Sequence, residues 1–251
     1  MGTQIKNELL NKVALVTGGA HRLGRQIALY LAKEGYDLAI IYNSTSKAEI
    51  LKTDLIFKSL GVKYKLYKCD LKNLPQVKNT VNKIGADFRK IDLLVNNSGV
   101  IKKIEFEDIR PELFDDTIAV NLRAPLFLTQ YSLKYLRKSK NPLVINMASL
   151  GGLQNWTGLM PYSISKTAVI KLTYLLAKKL APQIRVNAIA PGTIIVEGEE
   201  GGTPSKIAPE KIPLKKYGKS EDIIEAVKFI INCEYLTGQV IAVEGGRLLG
   251  H

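Results

Sequence analysis

Among its 251 residues the chain has only two cysteines, Cys69 and Cys233, two histidines and one tryptophan. Two cysteines are too few for a disulfide framework or a zinc site, so a reducing, cytoplasmic setting and no metal are expected. No apolar run approaches the roughly 18 residues that would suggest a membrane span. The opening residues, MGTQIKNELLNK, lack the apolar core of a signal peptide. Lys6 stands where a myristoylation pattern requires Ser or Thr. Acidic residues are also few, 23 against 36 lysines and arginines, for a formal net charge of +13. Such an excess raises a nucleic-acid reading, but the lysines are scattered rather than gathered in an arm or tail. They read as a solvated surface, and neither nucleic acid nor membrane is expected as a partner.

What the chain does have is a substantial hydrophobic fraction, 46%, arranged periodically. Short apolar runs at 12–17, 37–42, 62–68, 91–95, 143–147, 183–188 and 239–243 read as strands. Helical spacing intervenes from Leu23 to Gly35, over 46–60, from Pro75 toward Lys90, over 111–121 and 122–137, and after Tyr162. Ser220, with Glu221 and Asp222 following, reads as the cap of a last helix. Strands alternating with helices predict an α/β fold: a single-domain Rossmann fold over 1–251, a doubly wound parallel seven-stranded sheet with helices on both faces. The stretch 193–213, rich in Gly, Glu and Pro, has no clear period and reads as a mobile substrate loop. Within it Glu197, Glu199 and Glu200 read as a solvated acidic tip or as substrate selectors. His251 reads as a disordered end.

The turn after the first strand, Thr17-Gly18-Gly19-Ala20-His21-Arg22-Leu23-Gly24, joins it to the first helix. Glycines there let the backbone approach a pyrophosphate, which a helix N-terminus attracts. The turn departs from the GxGxxG pattern because Arg22 occupies an expected glycine position. His21 reads either as a phosphate contact or as an exposed loop residue. The second strand ends Tyr42-Asn43-Ser44-Thr45-Ser46, without the acid that would bind a ribose 2′-hydroxyl, and Asp37 lies at the wrong end. Arg22 can supply positive charge for a 2′-phosphate, so NADP(H) is favoured over NAD(H).

Tyr162 and Lys166 lie four apart on one helix face. A phenol, with a pKa of about 10, is a poor acid at neutral pH, and a neighbouring ammonium lowers that value. The pair therefore suits proton transfer, with Ser149, at the end of a strand, able to hold a carbonyl oxygen. Trp156, between them, reads as a wall of the substrate pocket or as a core aromatic.

Taken together, the Thr17–Gly24 turn, Asp70, Asn96-Asn97-Ser98-Gly99, Asn121, Ser149, Tyr162-Ser163-Ile164-Ser165-Lys166 and Pro191-Gly192 resemble the short-chain dehydrogenase/reductase family in order and spacing. Ser149 and Tyr162 are 13 positions apart. The resemblance implies that Tyr162 protonates the substrate oxygen as hydride arrives from the nicotinamide. Lys166 lowers the tyrosine pKa and holds the nicotinamide ribose, Ser149 orients the carbonyl, and Asn121 holds a relay water, caps a helix, or does both. Asp70 and Leu71 lie at the adenine; Asn97, Ser98 and Gly99 line the cofactor cleft; Thr193, after Pro191-Gly192, touches the carboxamide or pyrophosphate. Within the family the chain resembles 3-oxoacyl-ACP reductases, which keep Ser149, and bacterial pteridine reductases. The latter likeness rests on Arg22-Leu23-Gly24, on 180–187, and on Glu244-Gly245-Gly246-Arg247. That branch often has Asp at position 149 and an aromatic where Val100-Ile101 stand. A small carbonyl or pterin substrate and a homotetramer or homodimer are thus implied.

Overall fold

The computed structural model describes residues 12–196 and 207–249. Glu197, Glu199, Glu200 and His251 lie outside the described residues. In chain order the elements are β1 (Val13–Thr17), α1 (Arg22–Lys33), β2 (Asp37–Tyr42), α2 (Lys47–Lys58), β3 (Tyr64–Lys68) and α3 (Leu74–Phe88). There follow β4 (Leu93–Asn96), α4 (Pro111–Ile118), α5 (Ala124–Leu136), β5 (Leu143–Met147), α6 (Met160–Leu180) and β6 (Arg185–Pro191). The short β7 (Ile194–Ile195) and β8 (Gly218–Lys219) precede α7 (Ser220–Asn232) and β9 (Val240–Val243).

Seven parallel strands form one sheet in the order β3-β2-β1-β4-β5-β6-β9. Alternation of side chains along a strand divides the core in two. From β1, Val13 and Leu15 enter one layer with Val77, Val81 and Ile84 of α3 and Leu128 of α5. Ala14 and Val16 enter the other, with Ile27 and Leu31 of α1, Phe57 of α2 and Val227 of α7. Helices therefore cover both faces, which is why β1 reads as an unbroken apolar run rather than an alternating one. The strand order reverses between β1 and β4, which run parallel, opening a crevice at their carboxyl ends.

Four local expectations change. The two helices expected over 111–121 and 122–137 are one continuous run, α4 and α5 joined by a π-helical stretch, Ala119–Arg123. Pro125, in the first turn of α5, lacks an N–H, so the Asn121 carbonyl four residues earlier has no ordinary helical donor there. Lys219, not Ser220, is the N-cap of α7, and its N–H donates to Asp222 Oδ2 at 2.7 Å. The described parts of 193–213 are structured: β7 pairs with β8, and Ile212 is buried. Finally, β6 begins at Arg185 and continues to Pro191, past the expected end at Ala188.

Candidate active site

Thr17 closes β1 and organises the crevice. Its Oγ1 accepts from the N–H groups of both Asn97 and Ser98 at 2.9 Å. Asn97 Nδ2 donates back to the Thr17 carbonyl at 2.9 Å, locking the ends of β1 and β4 together. The turn that follows is compact. Gly18 has φ +65°, and Arg22, at the expected glycine position, keeps the left-handed conformation with φ +50°, at a backbone cost of about 1–2 kcal/mol. A Cβ on Gly24 would lie 2.5 Å from Asn97 Nδ2 and closer still to the Gly18 carbonyl oxygen. Beneath the turn, buried Arg25 donates to Glu49 Oε2 at 2.5 Å, while Thr53 Oγ1 donates to the Ala20 carbonyl at 2.7 Å. His21 is half-buried as the N-cap of α1, with its Nδ1 3.3 Å from Thr45 Oγ1.

Ser149 leaves β5 and caps a tight turn, its Oγ accepting from Gly151 N–H at 3.0 Å. Tyr162 and Lys166 both lie in α6, and the Ser149 hydroxyl hydrogen-bonds the tyrosine oxygen. Lys166 Nζ donates to the Met147 carbonyl at 2.7 Å and sits 5.8 Å from the Tyr162 ring centroid. Burial pushes the Tyr162 phenol above its ordinary value, opposed by the Ser149 hydrogen bond. This reverses the direction expected from the neighbouring ammonium: loss of water around the phenol outweighs the Ser149 hydrogen bond. Burial also lowers Lys166 from 10.5 to about 8.

Asn121 lies within the π-helical stretch rather than at a helix end, which removes its reading as a cap. Its amide is fully engaged. Oδ1 accepts from Val100 N–H at 2.8 Å, and Nδ2 donates to the Val100 carbonyl and to Ser165 Oγ, both at 2.9 Å. Ser165 in turn donates to the Tyr162 carbonyl at 2.6 Å. The side chain thus registers the bulge against α6, leaving the backbone carbonyl of Asn121 as its remaining acceptor.

A cavity of about 730 Å³ connects these pieces. Of the residues expected at the site, Arg22, Leu23, Asn97, Gly99, Ser149, Tyr162, Lys166, Pro191, Gly192 and Thr193 line it. The others stand around it. Gly18 and Gly24 pack on each other and on Asn97, and Asn43 and Ser44 follow β2. Asp70 N-caps nothing; its Oδ1 accepts from Lys72 N–H at 2.9 Å just past β3. Leu71 is in the core, so only its backbone can meet a ligand. Asp37 Oδ1 accepts from Lys63 N–H at 3.1 Å, far from the crevice, as its position before the strand implied. Trp156 lines the cavity and is half-buried, so it is not a core aromatic. Lys103 was not singled out from the sequence, and Thr17 and Arg247 entered only as parts of the first turn and of the Glu244-Gly245-Gly246-Arg247 stretch, with no role of their own.

Residues 12–201 match the profile of the family described as short chain dehydrogenase. A 3-oxoacyl-[acyl-carrier-protein] reductase of Staphylococcus epidermidis is 34% identical over 246 residues, covering 96% of this chain and 100% of that one. Among solved structures, a blue fluorescent protein from a metagenomic library in complex with NADPH is 28% identical. It covers 95% of this chain and 98% of that one, with a TM-score of 0.85. An acetoin dehydrogenase of Salmonella typhimurium is 27% identical over 96% of this chain and 99% of that one, with a TM-score of 0.86. With that match over most of its length and seven parallel strands in the order found here, the chain belongs to the short-chain dehydrogenase/reductase family and is an oxidoreductase of it.

Proposed function

We propose that the chain is an NADP(H)-dependent reductase of a carbonyl group, of ketone or 3-oxoacyl type, with Tyr162 as general acid and base. The convergence of Ser149, Tyr162 and Lys166 on one cavity that also reaches the Gly-rich turn carries this reading. The turn suits a pyrophosphate. The first turn of α1 holds no acid, and its N-cap makes no side-chain hydrogen bond to the leading N–H groups, so both dipole and donors remain for an anion. Gly18, Leu23 and Gly24 would hold the pyrophosphate, with Arg22, His21, Asn43 and Ser44 at the 2′-phosphate. Asp70 and the Leu71 backbone would meet the adenine. Asn97, Ser98 and Gly99, with the backbone of Pro191, Gly192 and Thr193, would frame the nicotinamide. The NADPH named with the solved relative supports the cofactor, and the S. epidermidis reductase supports a 3-oxoacyl substrate.

When bound, the reduced nicotinamide supplies hydride. The chain supplies the proton and the positioning. Ser149 donates a hydrogen bond to the carbonyl oxygen, and Tyr162, kept protonated by burial, delivers its proton to that oxygen as charge develops. Lys166 stabilises the tyrosinate left behind and would hold the nicotinamide ribose. The Asn121 carbonyl, freed by Pro125, holds the water through which Lys166 and Tyr162 recover a proton. Pterin reduction at C=N is the second reading. Arg22 beside Leu23 in the cavity favours it, whereas aliphatic Val100 and Ile101 offer no ring to stack on a pterin. Exposed apolar residues on α5 and α6, Leu126, Ile164, Tyr174 and Leu175, support a homodimer or homotetramer. A cytoplasmic location accords with the two free cysteines; among the described residues no helix is long and apolar enough to cross a membrane.

The test is NADPH oxidation against 3-oxoacyl thioesters, simple ketones and dihydropterins, each repeated with NADH. Tyr162→Phe is expected to lower kcat by about 10²–10⁴. Absence of turnover on every substrate, with NADPH binding intact, would make the protein a non-catalytic cofactor scaffold.

A further inference from the structure

The cavity's charged lining is of one sign. Arg22, Lys103 and Lys166 face it, and no carboxylate does among the described residues. A fourth cation stands at its edge. Arg247, in the segment after β9, donates from Nη1 to Thr193 Oγ1 at 3.2 Å, and its guanidinium lies 5.4 Å from the Trp156 ring centroid. Thr193 and Trp156 both line the cavity, and Thr193 is 7% exposed. The arrangement is braced. Trp156 Nε1 donates to Gln154 Oε1 at 3.0 Å, and Gln154 Nε2 donates to the Arg247 carbonyl at 2.7 Å. Arg247 thus joins the segment after β9 to the loops after β5 and β6, with its cation over an indole, a contact that an Arg makes well.

A partly buried guanidinium is costly without a counter-charge. Among the described residues Arg247 forms no ion pair. Glu244, the carboxylate that acts on it, already accepts from Leu248 N–H at 3.0 Å. Burial accordingly lowers the Arg247 pKa despite Glu244. Because Thr193 Oγ1 accepts from Arg247, its own proton is directed elsewhere. A carboxylate oxygen accepting that proton would sit within about 6 Å of Nη1, two hydrogen-bond lengths away.

We propose that Arg247 is a specificity-determining residue which, with Thr193, receives a carboxylate of the substrate, so that this chain reduces oxo acids in preference to neutral ketones. The proposal rests on the reductase reading and narrows its substrate class. Trp156 forms the wall along which the carbon chain between carboxylate and carbonyl lies.

The test compares 3-oxobutanoate and 3-oxohexanoate with their methyl esters under NADPH, in the native enzyme, Arg247→Met and Arg247→Lys. The native enzyme is expected to have the higher kcat/KM for each acid. Arg247→Met should lower that value by about 10- to 100-fold, at least ten times more than for the ester. Arg247→Lys, which keeps the charge but loses the planar fork, should fall between. Equal losses for acid and ester, or a native preference for the esters, would overturn the proposal. Binding gives a readout that does not require turnover, since Trp156 is the only tryptophan in the chain. With NADP⁺ present, 3-oxobutanoate should saturate a change in its fluorescence, and Arg247→Met should require at least ten times more. Identical titrations would refute the carboxylate site. Turnover of neutral ketones alone, lost in Tyr162→Phe, would leave the reductase reading standing without it. A saturable signal without turnover of any substrate would retain the carboxylate site and remove the reductase reading.

Discussion

Replacing Lys166 with Met separates what the cation does for the reaction from what it costs the fold. In the folded chain the ammonium titrates at about 8 against an ordinary 10.5. That gap, at 1.36 kcal/mol per pH unit, amounts to about 3 kcal/mol of destabilisation at pH 7. Between pH 8 and 10.5 the unfolded chain holds a proton that the folded chain has released, so stability rises with pH across that window. By pH 10 less than about 1 kcal/mol of the penalty remains. Methionine carries no charge to bury but abandons the 2.7 Å hydrogen bond to the Met147 carbonyl, a loss of about 1–3 kcal/mol when the acceptor stays buried. Lys166→Met should therefore be as stable as the native chain or up to about 2 kcal/mol more stable at pH 7. It should lose about 2–3 kcal/mol relative to the native chain on going to pH 10, while reductase activity is lost at both. Urea unfolding at pH 7, 8.5 and 10, at one protein concentration, measures the difference, and tyrosine titration cancels between the two proteins. A stability difference independent of pH would show that Lys166 titrates normally, and the argument from burial would fail.

The same titration should appear in catalysis: kcat for reduction is expected to fall above an apparent pKa near 8, as Lys166 loses its proton while the buried Tyr162 phenol stays protonated. A flat profile to pH 9.5 would contradict it. Asn121→Ala removes three hydrogen bonds that tie the bulge to Val100 and Ser165. A loss of about 2–4 kcal/mol in urea unfolding is expected, with reduced kcat. Gly24→Ala forces a Cβ into the Gly18 carbonyl and the Asn97 amide. NADPH affinity, measured by calorimetry, should drop at least about 10-fold, and unchanged affinity would mean that the turn relaxes freely.

Much of this was legible in one dimension. β2 and β5 have the bounds their apolar runs predict, Asp37–Tyr42 and Leu143–Met147, because strands buried on both faces leave an uninterrupted signature. The Tyr162/Lys166 pair was readable because a helix converts a spacing of four into a shared face. Arg22 shows where local reading stops. The residue suggested a departure from the Gly-rich pattern, yet the backbone keeps the glycine-like φ because β1, α1 and Asn97 fix the path on either side. Asn121 is similar. Its presence was visible, but its saturated amide and free carbonyl depend on Val100, Ser165 and Pro125 meeting at the π-helical stretch.

The sequence alone thus determined the strand–helix alternation and the parallel sheet, which follow from periodicity, and put Tyr162 and Lys166 on one helix face, which follows from their spacing. Tertiary structure decided the electrostatics. Burial, which no local pattern reports, raises Tyr162 and lowers Lys166. It also decided the far wall of the cavity, where Gln154 and Arg247, 93 residues apart, meet beside Trp156. A contact of that range leaves no trace in periodicity, because it is set by how β5, β6 and β9 lie side by side in the sheet.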